Sequence, residues 1–93
     1  MKIIFKSTFV ERLEKQLDYI SINNPENARS FKNDLIEKIK AIPNHPYAYR
    51  KSIYFNSSRI RDFIFKGYTV VFRINKTTIE VFGLLKYQDS IHD

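Results

Sequence analysis

The sequence predicts an α+β domain with the element order β-α-α-β-β-β, in which a two-helix hairpin packs on one face of a small, antiparallel-rich sheet. Three observations lead to this prediction. Apolar residues recur at helical spacing in the first half of the chain, whereas β-type residues with alternating polarity fill the second half. Short links separate the two helices and the last three strands, which favours antiparallel neighbours. A chain of 93 residues is enough for one domain, residues 1–93.

The first strand and the first helix are predicted from the opening 24 residues. Residues 2–6 are rich in β-type side chains and predict a strand. Thr8 and Glu11 have the capping-box spacing, at which a hydroxyl and a carboxylate satisfy N–H groups at a helix start. The helix is expected to end near Asn23 and Asn24. Its apolar stripe consists of Val10, Leu13, Leu17 and Ile20.

The second helix has both a start signal and a stop signal. Asn24 can cap it, Pro25 suits the first helical position, and Glu26 complements the helix dipole. Pro43 and Pro46 stop it, because proline lacks the N–H that a helix interior requires. Its buried stripe is expected to consist of Ala28, Phe31, Leu35, Ile39 and Ile42.

The C-terminal half is predicted to form three antiparallel strands after a loop at residues 43–58. Lys66 and Gly67 form one of the tight turns between the strands, and Gly67 supplies a positive φ at low cost. The loop holds a candidate short strand at residues 53–55. The three main strands are expected at residues 59–65, 68–74 and 78–87.

Alternation along the middle strand assigns its two faces, since successive side chains of a strand point to opposite sides. The apolar face is expected to pack under the helices. It consists of Tyr68, Val70, Phe72 and Ile74. The other face is expected to look outward, as an open surface with arginines at its margins that could bind a partner. It consists of Thr69, Val71 and Arg73.

The formal net charge of +6 and the pI of about 9.7 favour nucleic acid, an acidic protein partner, or solubility alone. The chain has no cysteine, so a disulfide framework and Cys-ligated metal are excluded. His45 and His92 have no ligand partners at useful spacing, and neither a metal nor a cofactor is expected. No apolar run is long enough to span a membrane, and the first residues are too few for a signal-peptide core. We therefore expect a cytoplasmic protein.

The order and spacing of these segments resemble the RelE/ParE superfamily of bacterial type II toxin–antitoxin toxins, and the likeness covers nearly the full chain. The resemblance implies a toxin that is neutralised by a cognate antitoxin, with a toxin–antitoxin hetero-oligomer as the complex. Such toxins usually expose an apolar strip that an antitoxin helix covers, and Ile22 and Ile36 are candidates for part of it. The motifs that carry the resemblance are NPENARSF at 24–31, RDFIFKGYTVVFRI at 61–74 and IEVFGLLKYQD at 79–89.

The superfamily divides by target. RelE-like members cut mRNA in the ribosomal A site, whereas ParE-like members poison DNA gyrase and cut no RNA. RNA-cutting members commonly carry an arginine after the Gly-Tyr of the hairpin, where this chain has Thr69. This departure, together with the Arg-Asp-Phe-Ile-Phe hairpin, favours the ParE-like branch and DNA gyrase as the target.

Two alternatives remain at this stage. One is a RelE-like, ribosome-dependent endoribonuclease with Lys86, Tyr87 and Arg61 as its catalytic residues. In it, Tyr87 or Lys86 would act on the sugar hydroxyl while Arg61 steadies the phosphate. The other is a degenerate toxin that binds only its antitoxin.

Four cations are the candidates for binding the target or the antitoxin: Arg59, Arg61, Arg73 and Lys86. Arg59 and Arg61 are two residues apart and are expected on the same side of a strand, where they could hold phosphate or acidic side chains. They could equally guard a strand edge against aggregation. Arg73 is expected to pair with Glu80 on the neighbouring strand.

Overall fold

The computed structural model describes residues 1–86. Within this range it confirms the α+β fold, with two α-helices and a five-stranded mixed sheet. Two short 3₁₀ helices, Ile42–Asn44 and Pro46–Ala48, follow the second α-helix. The main elements are β1 (Lys2–Phe5), α1 (Ser7–Asn23), α2 (Pro25–Lys40), β2 (Arg50–Lys51), β3 (Ile60–Phe65), β4 (Tyr68–Ile74) and β5 (Thr78–Lys86).

The strands lie in the order β1-β5-β4-β3-β2. The first strand runs parallel to the last one, and every other neighbouring pair is antiparallel. A parallel pair needs a long crossover connection, and the connection from β1 to β5 begins with the helix hairpin. Both helices contribute to one hydrophobic core against the same face of the sheet.

The start and end of α2 are confirmed. The side-chain oxygen of Asn24 accepts hydrogen bonds from the backbone N–H groups of Glu26, at 2.9 Å, and Asn27, at 3.3 Å. Pro25 occupies the first helical position, and the helix ends at Lys40, ahead of the proline-containing loop. The stripe expected from the sequence is buried: Ala28, Phe31, Leu35, Ile39 and Ile42.

The capping box expected at the start of α1 is wrong. The helix begins at Ser7, with Lys6 as an N-cap that makes no side-chain hydrogen bond. The Thr8 hydroxyl instead donates to the backbone carbonyl of Phe82 on β5, at 2.7 Å. A tertiary hydrogen bond has therefore replaced the local one, and it ties the first turn of α1 to the sheet. Phe9, absent from the expected stripe, is 1% exposed and belongs to the core.

The candidate strand at residues 53–55 does not form, and β2 lies before it at Arg50–Lys51. The chain leaves the sheet at Ser52, whose hydroxyl oxygen accepts a hydrogen bond from the backbone N–H of Tyr54 at 3.2 Å. Such a local side-chain to backbone bond stabilises a turn rather than a strand. Phe55 then reaches the ring of Phe82, with 5.6 Å between ring centroids.

The face of β4 that was expected to look outward is less open than the alternation suggests. Its helix-facing residues belong to the core as expected, but Thr69 is 1% exposed and Val71 only 2% exposed on the other face. Two close contacts lie on this side of the sheet. A Cβ placed on Gly83 of β5 would lie 3.0 Å from the Val71 Cβ, so the strands are in close contact there. The loop that carries Phe55 also folds back onto β5.

Candidate functional site

Arg61 fastens the loop after α2 to the sheet. Its Nε donates to the carbonyl of Ser58 at 2.8 Å, and its Nη1 donates to the carbonyls of Tyr49, at 2.9 Å, and Tyr47, at 3.3 Å. The guanidinium carbon also lies 4.9 Å from the centroid of the Tyr47 ring. Arg61 on β3 is the register partner of the core residue Phe72 on β4, so its side chain is on the helix-facing side of the sheet. Its hydrogen-bonding capacity is therefore largely used within the chain.

Arg59 holds the turn between β4 and β5. Its Nε donates to the carbonyl of Ile74 at 3.1 Å, and a terminal nitrogen donates to the side-chain oxygen of Asn75 at 2.6 Å. Arg59 precedes β3, and its backbone carbonyl accepts a hydrogen bond from the N–H of Ile74 at 2.8 Å. Arg59 and Arg61, which were expected on the same side of one strand, thus stabilise different loops.

Arg73 pairs with Glu80 as expected, with 3.0 Å between the guanidinium and the carboxylate, and the two residues are register partners on β4 and β5. The guanidinium carbon also lies 5.4 Å from the centroid of the Phe82 ring. Such a cross-strand pair contributes roughly 0.2–1 kcal/mol. Arg73 is therefore a half-exposed, internally paired cation on the face away from the helices.

Lys86 lies at the end of β5, opposite Tyr68. Its ammonium is 5.4 Å from the centroid of the Tyr19 ring on α1. Tyr87, the other residue of the expected catalytic pair, lies outside the described residues, as does His92. The role suggested for Tyr87 stays a prediction.

The structure does not bring the four candidate cations together on one sheet face. Arg59 contacts the β4–β5 turn, and Arg61 contacts the loop after α2. Arg73 lies on the face away from the helices, whereas Lys86 lies beside α1. From the register, Lys86 and Arg61 are two strands apart and displaced by four residues, which places their backbones roughly 15 Å apart. Their roles in binding or catalysis stay predictions.

An apolar groove lies between α1, α2 and β1, with a volume of about 220 Å³. Ile36, a candidate from the sequence, lines it, whereas Ile22 is 78% exposed and lies outside it. Val10 and Leu17, which the sequence assigned to the core stripe, are only half-buried and line this groove. We call it the apolar groove, and its lining consists of Phe5, Phe9, Val10, Leu13, Glu14, Leu17, Lys32 and Ile36.

A second, more polar cleft of about 440 Å³ lies between α1 and the adjoining ends of β4 and β5. The Tyr68 hydroxyl donates to the side-chain oxygen of Gln16 at 2.9 Å, and Arg12 Nη1 is 3.5 Å from the carbonyl of Leu84. We call it the basic cleft, and its lining consists of Glu11, Arg12, Lys15, Gln16, Tyr68, Leu84 and Lys86. The sequence did not reveal it, because charged residues on an amphipathic helix read as a solvated face.

The described residues, 1–86, show neither of two other features, a metal site or a membrane-spanning helix. This part of the chain holds no group of three or more His, Cys, Asp or Glu residues that could bind a metal ion. No helix in it has the length and apolar character that a bilayer-spanning segment needs.

The fold is a two-helix hairpin on a five-stranded mixed sheet, in a small basic chain. It is the architecture expected from the resemblance of the sequence motifs to type II toxins. The protein-family model for the ParE toxin of the parDE type II toxin–antitoxin system matches residues 3–90. The chain belongs to the ParE toxin family.

A solved structure, that of the chromosomal ParDE toxin–antitoxin system from P. aeruginosa, has the same fold. The TM-score is 0.75 at 16% sequence identity, over 92% of this chain and 95% of that chain. No curated protein matches the chain in a sequence search. The predicted superfamily and fold are thus confirmed.

Proposed function

We propose that this chain is a toxin that inhibits DNA gyrase by binding to it, without cutting RNA, and that a cognate antitoxin neutralises it in the cytoplasm. The choice between the gyrase and the RNA target rests mainly on the hydrogen bonds that Arg61 makes. Its guanidinium donates to three backbone carbonyls, so it is committed to holding a loop. A ribonuclease needs a cation at the scissile phosphate to offset growing charge, together with a nearby proton-transfer group.

The position of Lys86 supports the same choice. By strand register its backbone lies about 15 Å from that of Arg61, and the two side chains point to different neighbours, Lys86 to Tyr19 on α1 and Arg61 to the loop after α2, so they do not meet at one phosphodiester. Thr69, at the place where RNA-cutting relatives commonly carry arginine, is buried at 1% exposure. That position therefore carries a buried, uncharged side chain.

The apolar groove supports neutralisation by an antitoxin helix. An amphipathic helix binds such a groove by inserting apolar side chains spaced three or four residues apart. Half-buried Val10, Leu17 and Ile36 offer apolar surface for these contacts, and Glu14 and Lys32 offer one charge of each sign. The complex would be a toxin–antitoxin hetero-oligomer.

The gyrase proposal is tested with the purified protein in two assays. We expect it to inhibit supercoiling by gyrase or to trap cleaved DNA, and to leave mRNA intact in a reconstituted translation mixture. Antitoxin, taken as the product of a small acidic reading frame beside the gene, should restore supercoiling. Codon-positioned cuts in the mRNA, with gyrase unaffected, would contradict the proposal and favour the endoribonuclease.

The groove assignment is tested with Leu17→Glu. A carboxylate in the groove cannot be solvated once an antitoxin helix covers it, so we expect antitoxin affinity to fall tenfold or more, about 1.4 kcal/mol. Ile22→Glu is the matched control, since Ile22 is exposed on the same helix but lies outside the groove. The measurement is calorimetric titration of each variant with antitoxin. Equal losses in both variants, or none in Leu17→Glu, would place the antitoxin elsewhere.

A further inference from the structure

We infer that the basic cleft binds the backbone of a single-stranded nucleic acid. The cleft brings together three cations from two elements: Arg12 and Lys15 from α1 and Lys86 from β5. This inference goes beyond the proposed function, which requires only protein partners, and it does not depend on it.

The charge in the cleft is the first argument. Three cations and one carboxylate, Glu11, line it, and none of the three cations forms an ion pair with any residue in the range 1–86. Other basic side chains of the chain do find carboxylates, as Arg73 does with Glu80 at 3.0 Å. Like charges held in one cleft repel one another, and an anionic ligand relieves that repulsion. Phosphate groups are the anions that arginine and lysine bind most often in nucleic-acid interfaces.

An exposed aromatic ring beside the cations is the second argument. Tyr19 is 60% exposed, and the Lys86 ammonium lies 5.4 Å from its ring centroid. Arg12, Lys15 and Tyr19 recur at helical spacing and so form one stripe along α1. From Arg12 to Tyr19 the helix rises about 10 Å, which leaves room for phosphate contacts at one end and one stacked base at the other. Proteins that bind single strands combine cationic grooves with such stacking platforms.

The floor and size of the cleft favour a nucleic acid over an acidic protein segment. The Tyr68 hydroxyl and the Gln16 amide form a polar floor, bonded to each other at 2.9 Å, and Leu84 is the apolar residue among the lining side chains. A protein helix gains most of its affinity from apolar contacts, which the apolar groove offers and this cleft does not. A volume of about 440 Å³ is sufficient for a nucleotide-sized group.

The test measures binding of a fluorescently labelled single-stranded DNA of about 12 nucleotides by anisotropy, over a salt series. Three phosphate contacts predict a slope of about −2 for log affinity against log salt concentration. Lys15→Ala and Lys86→Gln should each reduce the slope by about 0.7. Lys76→Ala is the matched control: it removes the same charge at the opposite end of β5, where Lys76 is exposed, and should leave the slope unchanged.

The aromatic contribution is tested in the same assay. Tyr19→Ala should weaken binding about tenfold, whereas Tyr19→Phe should keep it, because stacking needs the ring and not the hydroxyl. Tyr54→Ala is the control for loss of an exposed tyrosine elsewhere. All these positions are exposed or half-exposed, and thermal unfolding verifies that each variant is folded.

Two results would overturn the inference. If the slope falls equally for Lys15→Ala and Lys76→Ala, the affinity reflects net charge alone and not this cleft. If a glutamate-rich peptide of equal charge binds more tightly than the oligonucleotide and displaces it, the cleft serves an acidic protein partner.

Discussion

Arg50→Leu is expected to lower the free energy of unfolding by about 3 kcal/mol, because it leaves a carboxylate buried without its cation. Asp62 on β3 is 0% exposed, and its Oδ1 accepts a hydrogen bond from Arg50 Nε on β2. Its Oδ2 has no hydrogen-bond partner among the described residues. Breaking a fully buried pair costs about 3–5 kcal/mol. We expect the lower end, since the Arg50 side chain is 45% exposed and water can enter once it is removed.

Two further variants separate the charge from the packing. Adding Asp62→Asn to Arg50→Leu should recover part of the lost stability, because no charge then remains buried. Lys51→Leu, at the exposed neighbouring position of β2, is the control and should change stability by no more than about 0.5 kcal/mol. Urea unfolding followed by circular dichroism measures all three. An Arg50→Leu midpoint equal to that of the unsubstituted chain would show that the ion pair does not stabilise this edge of the sheet.

The helices were predictable because their signals are local. Asn24 and Pro25 define the start of α2 through contacts within three residues, and the structure has that start. The tight turns likewise made the antiparallel pairing of β3, β4 and β5 predictable. Strand order depends instead on non-local pairing. The parallel contact of β1 with β5 joins residues from opposite ends of the chain, and no short-range pattern encodes it.

The placement of Lys86 could not be predicted, because it depends on a β-bulge. The register of β4 and β5 shifts between Val71 and Phe72, and Phe82 is the extra residue on β5. Ile79 and Val81 face the core before the bulge, whereas Leu84 faces it afterwards, so the alternation changes phase. A shift of one residue moves every later side chain to the opposite face of the sheet.

The basic cleft depends on this change of phase. It turns Lys86 towards α1, opposite Tyr68, instead of towards the other face of the sheet. Arg12 and Lys15 were visible in the sequence as charged helix positions, but their proximity to the end of β5 follows from tertiary packing. The sequence thus contained the residues of the cleft without the geometry that joins them.

Arg61→Ala is expected to lower the free energy of unfolding by about 2–3 kcal/mol. The substitution removes three hydrogen bonds from a charged donor, two of them to the carbonyls of Tyr47 and Tyr49. Hydrogen bonds to charged groups contribute about 1.5–3 kcal/mol each, but solvent replaces part of this total, because these carbonyls lie near the surface and Arg61 is half-buried. Urea unfolding measures the loss. Gyrase inhibition at a temperature where the variant is folded should change little.

Arg61→Lys distinguishes this structural role from a catalytic or target-binding one. Lysine keeps the positive charge but has no planar fork, so it cannot reach all the carbonyls that Arg61 contacts. If Arg61 acts as a clamp, Arg61→Lys should lose most of the stability that Arg61→Ala loses and still inhibit gyrase. If the charge itself contacts a phosphate or an acidic partner, lysine should keep much of the activity that alanine abolishes, with little change in unfolding. Because Arg61 already donates to three carbonyls within its own chain, the first result is the one that we expect.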